Sequence, residues 1–383
     1  MKYLPLILSS LWSSPVRTFL SLLSISFAFL LFGLLYGVSA GFDRLVGTMS
    51  ETRLRVVNRS GMTQPLPLAH EAAIQSIPNV RLVTHYAYFG GYFRERPNSI
   101  PTGALDIEAY AAAVPELILP EEQRRHMARK RDGAVVGAEL AARYGWNIGD
   151  RVPITTRSWK RKDGDNTWTF EIVGIYRYKD AAQPANELWI NYDYFDEARD
   201  SRNGTVMMLI VVPESPAFSA EVSQQIDARF ANSSFETQTQ NEKDWVGGKL
   251  KQLGNVKFFV GAVTGAVMFT LLSLTGNTMA QSVRKRRPQL ALLKACGYAD
   301  AKVAGLVVAE SLLLSAGAAV VGLVAATALI PSLYKRFGFG DAPVPFSVFG
   351  VGLTIAAALA LVSAILPAWR AGRLGIAHAM THV

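Results

Sequence analysis

Few residues in this chain have both the type and the surroundings that chemistry needs. Glu310 is the first, an acid well inside the long apolar run 303–330. A charge in hydrocarbon costs at least a few kcal/mol unless paired or hydrated, so such a residue marks a site by default. It can pair with a base near the membrane surface, pack between helices as a neutral acid, or snorkel. A proton relay would need a chain of such groups, which the sequence lacks, so a structural role at a helix interface is the preferred reading. The second feature is a basic cluster, Arg284, Lys285, Arg286 and Arg287. Catalytic patterns are otherwise missing. Gly247-Gly248-Lys249 lacks the spacing and the hydroxyl of a phosphate-binding loop. There is no H-E-x-x-H, no cysteine–histidine cluster and no G-x-S-x-G elbow. The five histidines (His70, His85, His126, His378, His382) are scattered. The run Arg124, Arg125, Arg129, Lys130, Arg131 reads as a solvated face. No catalytic residue, metal or cofactor is expected in the chain itself.

The basic cluster opens a stretch, 281–303, that lies between two long apolar runs. Proline suits the first turn of a helix and glycine the position after its end. Pro288 and Gly297 therefore predict a helix over 288–296, about 13 Å long. Leu290 and Leu293 share one face, and Lys294 lies in the last turn, where a cation suits the helix dipole. Asp300 is expected to N-cap the next helix. The outcome would be a stiff basic rod, clamped at both ends with almost no slack. The bland alternative is a solvated loop.

Apolar runs give the rest of the frame. Half of the 383 residues are hydrophobic and 18% are charged, as in a membrane protein with a sizeable soluble part. Residues 1–18 read as an amphipathic lead, with spans expected at 19–40, 255–280, 303–330 and 346–366. The 19–40 run resembles a signal peptide at Val38-Ser39-Ala40, but exceeds the ~7–15 apolar residues usual there, so an uncleaved span is expected. Gly261 and Gly265, four apart, form a small-residue pattern that lets membrane helices approach closely. Pro331, Lys335, Arg336, Pro343 and Pro345 are read as a loop between the last two spans. The net charge of +9 follows from bases bordering the spans rather than from nucleic-acid binding. They concentrate near the start, in 284–302 and in the tail 367–383, which puts both termini and the 281–302 loop in the cytosol and residues 41–254 outside. The lone cysteine, Cys296, precludes an intrachain disulfide.

Residues 41–254 alternate strand and helix signals. Strands are expected at 52–59, 81–93 and 206–213, and helices at 69–76 and 217–231. A strand–helix–turn unit is expected at 133–150, and a hairpin pairs 151–159 with 167–178 around Asp163-Gly164. The fold class is membrane α-helical, with four transmembrane helices and a large α+β bilobed extracytoplasmic domain. That domain would comprise a porter-like part (41–99 and 203–254) and an inserted β-rich lobe (100–202). A helix over 241–257 would run unbroken into the second span.

The 281–303 stretch resembles the cytosolic loop of MacB/FtsX-type ABC transporter permeases. Their pattern is a base, an acid, aliphatic and small residues, then Ala-x-Gly. It is matched by Arg286, Gln289, Leu290, Ala291, Leu292, then Lys294, Ala295, Cys296, Gly297. Glu310 followed by Leu312–Leu314, and the tail Leu366-Pro367-Ala368-Trp369-Arg370, extend the likeness. Two departures stand out. Gln289 replaces the usual acid, and Lys285-Arg286 replaces an acid–base pair, which suggests a matched partner or one half of a heterodimer. The resemblance implies a coupling helix formed by Arg286, Pro288, Gln289, Leu290, Leu292, Leu293, Lys294 and Gly297, seated on a separate ABC ATPase subunit that binds the ATP. Aspartate at Leu290 or Leu293 would then abolish coupling. It further implies a second permease copy or homologue, membrane lipid around the spans, and a periplasmic adaptor and outer-membrane duct if the task is export. The rival implication is regulation of an envelope partner such as a cell-wall hydrolase, as FtsX-like members do. A secondary transporter would need inverted repeats and broken helices, which are absent here.

Overall fold

The computed structural model describes residues 15–95, 98–252, 256–337 and 344–373. The chain divides at Phe42/Asp43 and at Gly254/Asn255 into a helical unit and a globular unit. The amphipathic lead up to residue 14, Pro343 and the tail beyond residue 373 lie outside the described residues, as do residues 253–255, where an unbroken helix was expected.

The helical unit consists of α1 (Pro15–Gly47), α2 (Val256–Lys285), α3 (Arg287–Ala295), α4 (Asp300–Phe337) and α5 (Ser347–Gly372). All but α3 are long and apolar enough to cross a membrane, as Thr18–Gly47, Phe258–Lys285, Asp300–Tyr334 and Ser347–Gly372. The helices outrun the apolar intervals. Pro331 lies inside α4 rather than in a loop, and Pro367 inside α5. Hydropathy marks where hydrocarbon contact ends, not where the backbone ladder ends. Ile25, Phe29 and Phe32 of α1 pack with Leu271, Leu314, Ala318, Leu323 and Val348 from the other three spans.

Small residues set the α1–α4 crossing. A Cβ on Gly33 would lie 2.6 Å from Ala326 Cβ, and one on Gly37 would lie 2.5 Å from Ile330 Cδ1. On the α4 side, a Cβ on Gly322 would collide with the Ser26 carbonyl. The Tyr334 hydroxyl donates to the Gly37 carbonyl at 2.8 Å. Small residues four apart permit this approach. Gly261 and Gly265, the pair singled out from sequence, do not serve it: both are exposed, with nothing within 4 Å of an added Cβ. Their spacing is as good as that of Gly33 and Gly37. What differs is the face, because α2 is the least covered span, with 11% of its apolar window buried.

The globular unit is built on one mixed sheet. Its strands are β1 (Leu54–Asn58), β2 (Leu66–Pro67), β3 (Val80–Tyr88), β4 (Gly91–Tyr92), β5 (Ser99–Ile100), β6 (Thr102–Leu105), β7 (Leu117–Ile118), β8 (Gly133–Gly137), β9 (Arg151–Thr155), β10 (Thr167–Tyr178), β11 (Leu188–Asn191), β12 (Thr205–Val206), β13 (Met208–Pro213) and β14 (Thr237–Asn241). The order is β14-β1-β13-β3-β6-β11-β8-β10-β9-β4-β5, with β7 on β10 and β12–β2 a separate pair. Strands from the two ends of the segment (β14, β1, β13, β3) make one end of the sheet, and those between residues 91 and 191 make the other. β3–β6 pairing joins them, so a single sheet runs through both parts. The expected hairpin is present, with Thr155 opposite Thr167 and Gly164 at φ +87° in its connection.

Period-two alternation explains how the sheet is covered. In β13, Leu209 and Val211 face one core and Ile210 and Val212 the other; in β8, Ala134 and Val136 oppose Val135. The first core is closed by helices His70–Gln75, Ala138–Tyr144, Tyr192–Ala198 and Ser219–Arg229, through Ile74, Leu140, Phe195 and Ile226. The second is closed by Ile107–Ala113 and Glu121–Arg129, through Ile107 and Met127. The middle carries helices beside its strands: four of these helices lie within residues 100–202.

Candidate functional site

The stretch 281–303 holds the short helix expected from Pro288 and Gly297, shifted by one residue. Arg286 alone separates α2 from α3, and four residues separate α3 from α4. Pro288 occupies the first turn of α3, where its missing N–H costs nothing. Gly297 ends the helix at φ +89°, a left-handed conformation that glycine adopts without strain. Its N–H donates to the Lys294 carbonyl at 3.0 Å and that of Tyr298 to Leu293 at 3.1 Å. Asp300 is the first residue of α4 rather than its cap. Its carboxylate turns instead to Lys294.

Two charged anchors hold the ends of α3. At the start, the Glu310 carboxylate accepts from Arg286 Nη1 at 2.7 Å and from Ser282 Oγ at 3.1 Å. Glu310 is 5% exposed. Of the three arrangements open from sequence, the structure adopts the ion pair. The Arg286 Nε also donates to Gln289 Oε1 at 3.1 Å. At the far end, Lys294 Nζ lies 2.8 Å from Asp300 and donates to the Gly372 carbonyl at 2.7 Å. The short helix is thus tied to α4 through Glu310 and Asp300 and to the end of α5 through Gly372, while Ser282 fastens α2 to the same Glu310.

The apolar face of α3 points inward. Leu290 and Ala291 are buried against Val283, Val303, Val307, Ala368 and Ala371, with Leu293 at the edge. The aspartate substitutions expected at Leu290 or Leu293 to abolish coupling therefore fall on the inward side, Leu290 buried and Leu293 partly buried. The nearest apolar surface for an amphipathic helix is its own chain's helix ends, and it covers them first. Arg287, Pro288, Gln289, Leu292, Ala295 and Cys296 face outward, Leu292 being 60% exposed. A lone large aliphatic side chain, ringed by Gln289, Pro288 and a basic residue, is a compact projecting contact. Ser282 and the Gly372 carbonyl were missed, and Asp300 was read only as a cap. Ser282 and Asp300 fall close to the basic cluster in sequence, but nothing in the pattern says where the α5 terminus sits.

The other basic run is accounted for. Arg124 pairs with Glu108 at 2.6 Å, Lys130 with Glu171 at 2.6 Å, Arg125 with Glu121, and Arg131 with Glu197. No group of three or more metal-binding side chains occurs among the described residues.

Two family models match the sequence: the MacB-like periplasmic core domain over residues 18–229, and the FtsX-like permease C-terminal domain over residues 261–376. The chain belongs to the MacB/FtsX family of ABC transporter permeases. Its globular unit is the family's periplasmic core domain and its apolar helices place it in the inner membrane. Permeases of this family work with ABC ATPase partners. Among solved structures, the chain is similar to the extracellular domain of the noncanonic ABC-type transporter YknZ from Gram-positive bacteria, at 10% identity and TM-score 0.36, covering 49% of this chain and 100% of that one. It is also similar to the periplasmic region of MacB from Actinobacillus actinomycetemcomitans, at 9% identity and TM-score 0.37, covering 53% of this chain and 94% of that one. A search among curated proteins finds no match.

Proposed function

We propose that this chain is the force-transmitting permease subunit of an ABC system. In this reading α3 lies in the cytosol, as do both termini. A separate ATPase subunit seats on the outward face of α3, and its ATP-driven movement displaces α2, α4 and α5 together. The observation that carries the reading is the double anchoring of α3: ion pairs at both ends and a buried Leu290 join it to the helices around it. A push on Leu292 would reach three membrane helices at once. The chain leaves the periplasmic domain through helix Glu242–Gln252, only three residues before α2, so a shift of α2 has a short path to that domain. Among the described residues of the four spans the one buried acid is already paired, which speaks against a polar path for a solute. The output is therefore motion of the periplasmic domain, used to export or extract a substrate from the periplasm or outer leaflet. A second permease copy or homologue completes the unit, and an adaptor and outer-membrane duct would receive the substrate.

Leu292→Asp tests this. The charge sits on an exposed position and leaves the packing of Leu290 intact, so the permease folds while the ATPase no longer co-purifies and ATP-dependent function is lost. Retention of both would refute the assignment.

A further inference from the structure

A cavity of about 360 Å³ opens inside the globular domain, within the ~300–1,000 Å³ range of small-molecule sites. Six aromatic rings line it: Tyr86, Tyr88, Tyr110, Tyr176, Tyr178 and Trp245. The wall is held stiffly. Tyr176 lies flat on Trp189 with 3.7 Å between centroids, and meets Tyr178 edge-on at 5.6 Å. The charged residues lining it are Arg53 and Arg55 against Glu116, Glu187 and Glu242, a formal net of −1.

Both arginines are already engaged. Arg53 reaches Glu242, Glu116 and, at 3.0 Å, the Ala113 carbonyl. Arg55 also grips Glu242 and lies 4.7 Å over the Trp245 ring. The group left over is an acceptor. Glu187 Oε2 takes the Trp189 indole N–H at 3.0 Å and the Tyr86 hydroxyl at 3.4 Å, and no protein donor to its other oxygen occurs among the described residues. Gln183, 7% exposed, stiffens the wall by donating from its amide to the Thr48 carbonyl at 3.0 Å. The electrostatics agree: burial holds the hydroxyls of Tyr86, Tyr110, Tyr176 and Tyr178 neutral well into alkali, and the negative charge of Glu187 adds to it.

We propose that this cavity binds an organic cation, a protonated amine carrying an apolar body. Glu187 takes the ammonium hydrogens, and the tyrosine ring faces stabilise the charge. Val114, Met207 and Ile210 receive the apolar part. An anion is disfavoured, because the guanidinium groups are committed and the residual charge is negative. The proposal concerns the globular domain alone and stands whether or not α3 meets an ATPase.

The test uses the full-length protein in lipid nanodiscs, with empty nanodiscs as the blank. Fluorescence titration compares dansylcadaverine, a primary amine, with dansylglycine, which has the same fluorophore on a carboxylate. Saturable binding of the amine but not of the acid is expected. Glu187→Gln keeps an acceptor for Trp189 and should weaken the amine by about tenfold or more, the loss of one charge-assisted hydrogen bond. Met207→Trp fills the cavity without changing charge and should abolish binding. No saturable binding of the amine, equal binding of the acid, or an unchanged affinity in both variants overturns the proposal. Should Glu187→Gln fail to fold, the amine–acid comparison and Met207→Trp decide.

Discussion

Breaking the Arg286–Glu310 pair should cost different amounts from its two sides. Unit charges 2.7 Å apart attract by about 6 kcal/mol at an effective dielectric near 20. Desolvation offsets much of that, and removing one partner of a buried pair typically costs about 3–5 kcal/mol. The Glu310 side chain is 7% exposed and that of Arg286 is 18%. Arg286→Ala strands the more buried carboxylate with only the Ser282 hydroxyl, so it should incur the full cost. Glu310→Gln leaves a guanidinium nearer to water that still reaches Gln289, at about 1–2 kcal/mol. At ~2–4 °C per kcal/mol for a unit of this size, Arg286→Ala should lower the melting temperature of the detergent-purified permease by about 6–20 °C. Glu310→Gln should lower it by about 2–8 °C. The double variant Arg286→Met with Glu310→Leu should melt above Arg286→Ala, because neither charge is left unpaired. Equal losses from both sides, or strictly additive losses in the double variant, would refute the idea that this pair clamps α3 to α4.

Other outcomes follow from the same geometry. Gly37→Ala should destabilise the helical unit by about 1–3 kcal/mol by pushing against Ile330, whereas Gly265→Ala should be neutral or stabilising by up to about 1 kcal/mol; thermal melts of the two variants check this. Leu290→Asp should unfold or severely destabilise the helical unit rather than merely uncouple it, seen as loss of monodisperse protein on size exclusion. The periplasmic domain should also be acid-sensitive through Glu242. Burial pushes its carboxyl up, but Arg55 and Arg53 outweigh that and hold it below the ordinary 4.5. A depressed folded-state value stabilises above the unfolded one, so the contribution is present above about pH 4.5 and is lost as pH falls through the lower folded value. Glu242→Gln should flatten that part of the stability–pH curve.

Local patterns carried well from sequence to structure wherever the deciding physics was local. Pro288 and Gly297 bracket α3 to within a residue because capping depends on neighbouring backbone alone. The four spans are legible for the same reason: an apolar run has few alternatives. What failed was direction. The Leu290–Leu293 stripe was visible, but a stripe does not say which apolar surface it will meet. Gly33–Gly37 and Gly261–Gly265 are indistinguishable as spacings, and only the position of α4 selects the first. The aromatic cavity was illegible, since Arg53 and Glu242 are brought together only by β1 and β14 pairing in register, 189 residues apart in sequence.

Cys296 allows the most direct test with the native sequence. It is the chain's only cysteine, exposed at the end of α3 beside the outward face. Intact spheroplasts and inverted membrane vesicles should be treated with a membrane-impermeant maleimide, with and without the ATPase subunit co-expressed. Labelling in inverted vesicles only, and its suppression by the ATPase, is the predicted result. Labelling of intact spheroplasts would place α3 on the same side as the globular domain and contradict the account.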